Sequence, residues 1–193
     1  MGSERLMALT DGVVAVIITV MVLELKPPHE ADLGSLVGLW PTFLSFVLSF
    51  IYVAIYWNNH HHFFKLVPHV SGAVMWANLN LLFWLALVPF TTAWMDEHNQ
   101  APVPVALYGA TLLFCAVSWY VLQATIVRMQ GPGSPLREAL GRDLKGKLSP
   151  VAYLAGMALA FVAPLLSYAI YAALAVAWLI PDRRMEARLR SPD

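Results

Sequence analysis

Residues 5–26 read RLMALTDGVVAVIITVMVLELK, from Arg5 to Lys26. The run from Leu6 to Leu25 has the length of a helix that crosses a bilayer core, which is roughly 30 Å thick. It is almost wholly apolar, yet Asp11 sits inside it. A carboxylate within a spanning helix is costly, so it faces protein or a water-filled path. At about 100° per residue, Gly12, Val16, Thr19, Val20 and Leu23 form one narrow stripe of mostly small or β-branched side chains. Val14, Ile18, Met21 and Leu25 form the opposite stripe, and Asp11 projects to that side. The acid and the slim stripe therefore have different jobs. Asp11 is expected to be structural and buried against other helices, while the slim stripe is free to face a symmetry axis.

The rest of the chain fits a membrane setting. Of 193 residues, 59% are apolar and 12% charged, and a soluble domain carries about twice that charged share. The formal net charge is zero, so nothing points to nucleic acid as a partner. One cysteine, Cys115, excludes an intrachain disulfide framework. The first segment has a thin charged flank and no small-residue cleavage site before Lys26-Pro27-Pro28, so it is not expected to be a cleavable signal. No stretch outside the apolar segments is long enough to fold as a soluble domain.

Further apolar segments follow. Their spacing predicts an all-α integral membrane protein, one unit over residues 1–193, with spans at 5–25, 35–57, 70–95, 104–127, 148–163 and 165–180. The segment 148–180 is long for one span, and charge decides its parity. Arg142, Lys145 and Lys147 precede it, and Arg183 and Arg184 follow it. Basic loops stay in the cytoplasm, so the segment crosses an even number of times, as a hairpin divided at Pro164. With six spans and cytoplasmic termini, the inner side carries Arg5, Lys65, Arg128, Arg137, Arg142, Lys145, Lys147, Arg183, Arg184, Arg188 and Arg190. The outer side carries only Lys26 of the 12 basic residues.

Polar groups within the spans are the candidates for function. His60, His61 and His62 are adjacent, so on a helix they fan apart and cannot converge on one metal ion. They are read instead as hydrogen-bonding groups, with His60 or His61 reaching Asp11. Arg5 and Asp11 point about 120° apart on one helix, so each is expected to bond to other helices, with Asn78 and Asn80 the candidate partners. Glu24 ends the first span, either ringing a pore entrance or simply solvated. Trp40, Trp57, Trp94 and Trp178 lie near span ends and are expected to anchor at the interface. There is no phosphate-binding loop, dinucleotide fingerprint, nucleophile elbow or intramembrane acid pair, so the chain is not expected to be an enzyme.

Taken together, Arg5 with Leu9-Thr10-Asp11-Gly12, then Trp57-Asn58-Asn59-His60-His61, then Asn78, Pro89-Phe90 and Trp178-Leu179-Ile180-Pro181-Asp182-Arg183-Arg184 form a pattern. It resembles the transmembrane protein 175 family of potassium channels in its six-helix prokaryotic form. The family signature has Phe-Ser-Asp where this chain has Leu9-Thr10-Asp11. The resemblance implies a homotetramer in the plasma membrane of a prokaryote, conducting monovalent cations and needing no cofactor beyond the permeant K+. It implies that the first helix lines a central pore and that Val16, Val20 and Leu23, with Thr19 alongside, form an apolar constriction. That is the stripe, with Gly12, that periodicity picks out. It further implies that Arg5, Asp11, His60, His61 and Asn78 hold the first helix in place. Val16 and Val20 stand where larger Ile or Leu is common, which implies a wider pore. His62 stands where Arg is frequent. Two other readings start from the same residues: a proton-coupled secondary transporter using Asp11 and the histidines, and a non-conducting assembly protein that buries the slim stripe against a partner helix.

Overall fold

The computed structural model describes residues 2–98, 101–134, 136–137 and 144–179. Their regular structure is helical, apart from an isolated bridge between Gly2 and His69. Helix α1 runs Glu4–Leu23 and ends with Glu24 as its cap, just before Lys26-Pro27-Pro28, which cannot continue a helix. The short α2 covers Leu33–Gly38. It begins at Asp32, whose carboxylate accepts the Ser35 N–H at 2.8 Å and the Ser35 hydroxyl at 3.0 Å. Those two bonds hold the Asp32 carboxyl below its ordinary pKa. Helix α3 then covers Trp40–Phe64, with Pro41 in its first turn, where the missing N–H is harmless.

Ser71 caps α4, Gly72–Ala86, by accepting the Val74 N–H at 3.3 Å. The chain continues almost directly as α5, Val88–Glu97. The break between them falls at Leu87, two residues before Pro89, whose ring cannot donate and crowds the carbonyl one turn back. Helix α6, Pro102–Gln130, stops at Gly131, whose φ of 80° suits a residue without a side chain. Helices α7, Leu144–Leu159, and α8, Pro164–Leu179, have 16 residues each and form a hairpin.

Four segments among the described residues are long and apolar enough to cross a membrane: Glu4–Leu23, Trp40–Phe64, Gly72–Glu97 and Pro102–Gln130. Several boundaries differ from the sequence expectation. The second span begins at Trp40 because Leu33–Gly38 forms a separate capped helix. It ends at Phe64 because the Asn-Asn-His-His-His run stays helical, with His60 turned inward. The third is two helices, for the reason given by Pro89. The Pro164 division is present, with Pro164 as the first residue of α8. Arg142, the basic tail from Arg183 to Arg190, Ile180 and Gln100 lie outside the described residues.

Helix α6 is the hub and packs against α4, α5, α7 and α8. One apolar core joins α1, α3, α4 and α6 through Val14, Ile17, Met21, Phe63, Leu81 and Leu122. The other joins α3, α6, α7 and α8 around Tyr52, Tyr108, Tyr153 and Tyr171. Tyr171 fits only because Gly109 and Gly156 lack side chains; a Cβ at either would overlap its ring or hydroxyl.

Candidate functional site: the open face of helix α1

Helix α1 is covered on one side only. Leu6, Val14, Ile17 and Met21 are buried against α3, α4 and α5, each with 4% or less of its surface exposed. Leu23 is 78% exposed and Val16 60%. Gly12, Thr19 and Val20 are exposed on the same side. The slim stripe and the buried stripe are thus distinct faces, although Ile17 belongs to the covered side and Ile18 is half-buried. The Thr19 hydroxyl donates to the Val16 carbonyl at 2.8 Å, so its proton is engaged within the helix and its oxygen lone pairs point outward. Beside this face lies an apolar groove of about 440 Å³. Leu9, Gly12, Val16 and Val20 form one wall, and Ala86 and Pro89, at the α4–α5 break, form the other.

Behind α1, three buried polar side chains meet. The Thr10 hydroxyl donates to the Leu6 carbonyl at 3.0 Å, so its oxygen acts as an acceptor. It takes the Asn78 Nδ2–H at 3.1 Å. The Asn78 Oδ1 can only accept, so the 2.9 Å contact with His60 Nε2 places a proton on that nitrogen. The same nitrogen lies 3.4 Å from the Thr10 oxygen. The imidazole also stacks on Phe64, with ring centres 4.3 Å apart. These contacts lock α1 to α3 and α4 without an ion pair.

Asp11 is not where the sequence places it. It is exposed on the isolated chain, and its partner is neither histidine nor asparagine: Trp57 donates its Nε1–H to Asp11 Oδ1 at 2.8 Å. The reason is position on α3: Trp57, about one turn before His60, reaches Asp11, while His60 faces Thr10 and Asn78. His61 is exposed and stacks on Trp57 at 6.1 Å, so it supports the donor rather than the acid. Arg5 is exposed and forms no ion pair with Asp11. Asn80 points away from α1 and donates to Ser118 Oγ at 2.7 Å, tying α4 to α6. Trp178 donates to Ser149 Oγ at 2.9 Å and so joins α8 to α7, more than an interface anchor would.

At the other end of α1, Glu24 is exposed and lines a cleft of about 170 Å³ with Asp96 and Glu97. Lys26 pairs with Glu97 at 3.0 Å, and this hydrogen bond and charge raise the Lys26 pKa above its ordinary value. Sequence reasoning passed over Thr10, which differs from the signature Ser by one methyl, and Trp57 as the donor to Asp11. It also missed Ser45, Ser49, Tyr52, Tyr56 and Asn59, which recur at helical spacing along one face of α3.

A bundle of apolar helices long enough to cross a bilayer, with its first helix half uncovered, defines an all-α multi-pass membrane protein. Residues 5–89 match the family model described as the endosomal/lysosomal potassium channel TMEM175. The chain is 45% identical over 190 residues to a protein of Chryseobacterium sp. (strain P1-3) named as a potassium channel, covering 98% of this chain and 99% of that one. It also superposes on the crystal structure of a lysosomal potassium-selective channel TMEM175 homolog from Chamaesiphon minutus with a TM-score of 0.81. That match has 30% identity and covers 94% of this chain and 97% of that one. The human endosomal/lysosomal proton channel TMEM175 is 24% identical over 130 residues, which are 65% of this chain and 25% of that protein. The chain belongs to the TMEM175 family, whose members are ion channels and not enzymes.

Proposed function

We propose that the chain is a passive, potassium-preferring cation channel of a prokaryotic plasma membrane, built as a homotetramer with α1 of every subunit around a central pore. The observation that carries this reading is the uncovered face of α1. Val16 and Leu23 are 60% and 78% exposed on a helix whose other side buries Leu6, Val14, Ile17 and Met21. Such a face calls for a neighbour or for water, and a rotation axis beside it supplies both. The names of the Chryseobacterium and Chamaesiphon relatives support potassium as the ion.

In this reading Val16, Val20 and Leu23 become stacked apolar rings, with Gly12 and Thr19 alongside. Tight apolar rings dewet, and an ion crossing them sheds water with few replacement ligands. Potassium is less tightly hydrated than sodium and loses less, which gives a modest preference. Arg5, Asp11, His60, His61 and Asn78 hold α1 at the radius that sets the ring. The chain is one unit of six crossings with both termini in the cytoplasm, α7 and α8 forming the last hairpin. At 1.5 Å per residue each of these spans about 24 Å, enough for a locally thin bilayer.

Ion flux into liposomes tests the reading. Purified protein should pass potassium faster than sodium without a coupled gradient. Leu23→Ala and Leu23→Ser should raise flux several-fold and lower the potassium preference. Leu154→Ala, on the exposed side of α7 and remote from α1, should change neither. If the Leu154 variant shifts selectivity and the Leu23 variants do not, another helix surrounds the pore.

A further inference from the structure

One face of α3 carries Ser45, Ser49, Tyr52, Tyr56 and Asn59, spaced three and four residues apart. Over most of its length the polar groups are satisfied. Ser45 Oγ lies 3.4 Å from the Tyr168 hydroxyl. Ser49 Oγ lies 2.7 Å from Thr92 Oγ1 and 3.0 Å from the Tyr108 hydroxyl, all three residues buried. The Tyr52 hydroxyl donates to the Tyr171 carbonyl at 2.6 Å. At the last turns the pattern changes. The Tyr56 hydroxyl and the Asn59 amide form no hydrogen bond to a described residue, and neither does the Gln123 amide on α6, although Gln123 is only 8% exposed.

Those three side chains line one cavity of about 40 Å³ between α3, α6, α7 and α8. Their polar atoms reach that space and are not sealed against carbon. An unpaired buried amide is costly, so a partner belongs there. Most of the remaining wall is aromatic, with Tyr52, Trp119, Tyr153 and Trp178. Ser149 Oγ is also in the wall but is already engaged: it donates to the Lys145 carbonyl at 2.8 Å and accepts the Trp178 Nε1–H at 2.9 Å. No acidic, basic or histidine side chain lines the space. An ion would find no counter-charge, so the occupant is neutral. Amides both donate and accept, which suits a hydroxyl or another amide. The volume equals about three waters, but each water needs two to four polar partners and an aromatic wall supplies few. Tyr120 is in the wall and 67% exposed, next to the exposed Val117 and Val121 on α6, so the mouth is largely apolar.

We propose that this cavity binds the uncharged hydroxyl- or amide-bearing end of a small amphiphile, either a free molecule or the neutral headgroup of a lipid. Gln123, Asn59 and Tyr56 bond the polar group, and the tryptophan and tyrosine rings pack on the carbon beside it. The apolar remainder leaves past Tyr120. No residue of α1 lines the cavity, so the inference stands whether or not α1 surrounds a pore.

Quenching of tryptophan fluorescence by 2-bromoethanol, with the full chain in lipid nanodiscs, tests this. Bromine quenches an indole on contact, and Trp119 and Trp178 are in the wall. The quenching should contain a saturable part, above the linear part that collisions with exposed indoles such as Trp76 produce. Bromoethane, which lacks the hydroxyl, and bromoacetate, which is charged, should give the linear part alone. Gln123→Met and Asn59→Leu should each raise the half-saturating concentration about fivefold or more, the worth of one hydrogen bond. Competing 1-propanol should relieve the saturable part. Relief by 1-monooleoylglycerol in the bilayer assigns the site to a lipid headgroup; relief by 1-propanol alone assigns it to a free small molecule. Purely linear quenching by 2-bromoethanol overturns the proposal. So does equal saturation by either other bromide, failure of 1-propanol to compete, or an unchanged half-saturation in both variants. Matching melting temperatures exclude misfolding of a variant, and the three bromides on the wild type decide the matter if a variant does not fold.

Discussion

Helices α1 and α6 are both apolar and both long enough to cross a bilayer, yet they live in different surroundings. Helix α6 is wrapped by four neighbours and buries Tyr108, Leu112, Cys115 and Leu122 to 1% exposure or less. Helix α1 rests on the bundle along one side, and the other carries Leu23 at 78% exposure. Hydropathy does not separate the two, because it measures transfer into an apolar phase and not what fills that phase. Their side chains do. Helix α6 mixes bulky aromatic and branched residues around its whole circumference, while α1 gathers its slimmest residues on one line. The lesson is that a spanning helix shows its role by how its side-chain sizes are distributed around it.

The sharpest way to break this contrast is to make one substitution in both helices. Leu112→Ala should leave a cavity at the centre of the packed core and lower stability by about 2–5 kcal/mol. Leu23→Ala should change the stability of the protomer by roughly 0.5 kcal/mol or less, since its side chain touches little there. Thermal unfolding in detergent, followed by a fluorescent reporter, measures both. Equal losses would mean that the open face of α1 is covered as thoroughly as α6.

The covered side of α1 offers the next comparison. Asn78→Ala removes the donor to Thr10 and the acceptor for His60, leaving two buried polar groups to share one 3.4 Å contact. The expected loss is about 1–3 kcal/mol in the same assay. Asp11→Asn should cost far less, because an asparagine oxygen still accepts the Trp57 Nε1–H. A loss as large as that of Asn78→Ala would place the Asp11 carboxylate against a cation on a second copy of the chain.

Much of this was legible in the sequence. The 3.6-residue period on residues 12–23 separates the two faces of α1 without any tertiary information, since side-chain direction on a helix is local. Pro164 marks the hairpin for the same reason. Partnerships between helices were not legible. Asp11 could have met His60, His61, Asn78 or Asn80, and which one it met depended on the rotation of α3 about its own axis. That rotation is set by Val53, Phe63 and Phe64 packing into the core, and it puts Trp57, not a histidine, beside the acid. The hydroxyl face of α3 was present as a spacing but its meaning lay in Thr92 and Tyr108, which are distant in sequence.

The smallest effect is expected where α1 ends. Lys26 and Glu97 lie 3.0 Å apart and join the end of α1 to the end of α5, but their side chains are 74% and 56% exposed. Water and salt screen such a pair, and ordering two long side chains offsets much of the attraction. Glu97→Gln should therefore leave the melting temperature unchanged at high salt and lower it slightly at low salt. The pH dependence has a definite sign. Glu97 raises the pKa of Lys26 above its ordinary 10.5. A raised base stabilises the fold fully below its ordinary value and loses that contribution as the pH rises through the folded one. The low-salt difference between wild type and Glu97→Gln should thus persist at neutral pH, vanish in strong alkali as Lys26 loses its proton, and vanish in acid as Glu97, whose pKa Lys26 lowers, gains one. A large, salt-independent loss at neutral pH would show that this end of α1 is held by a buried contact, and the helix would then be fixed at both ends as firmly as α6.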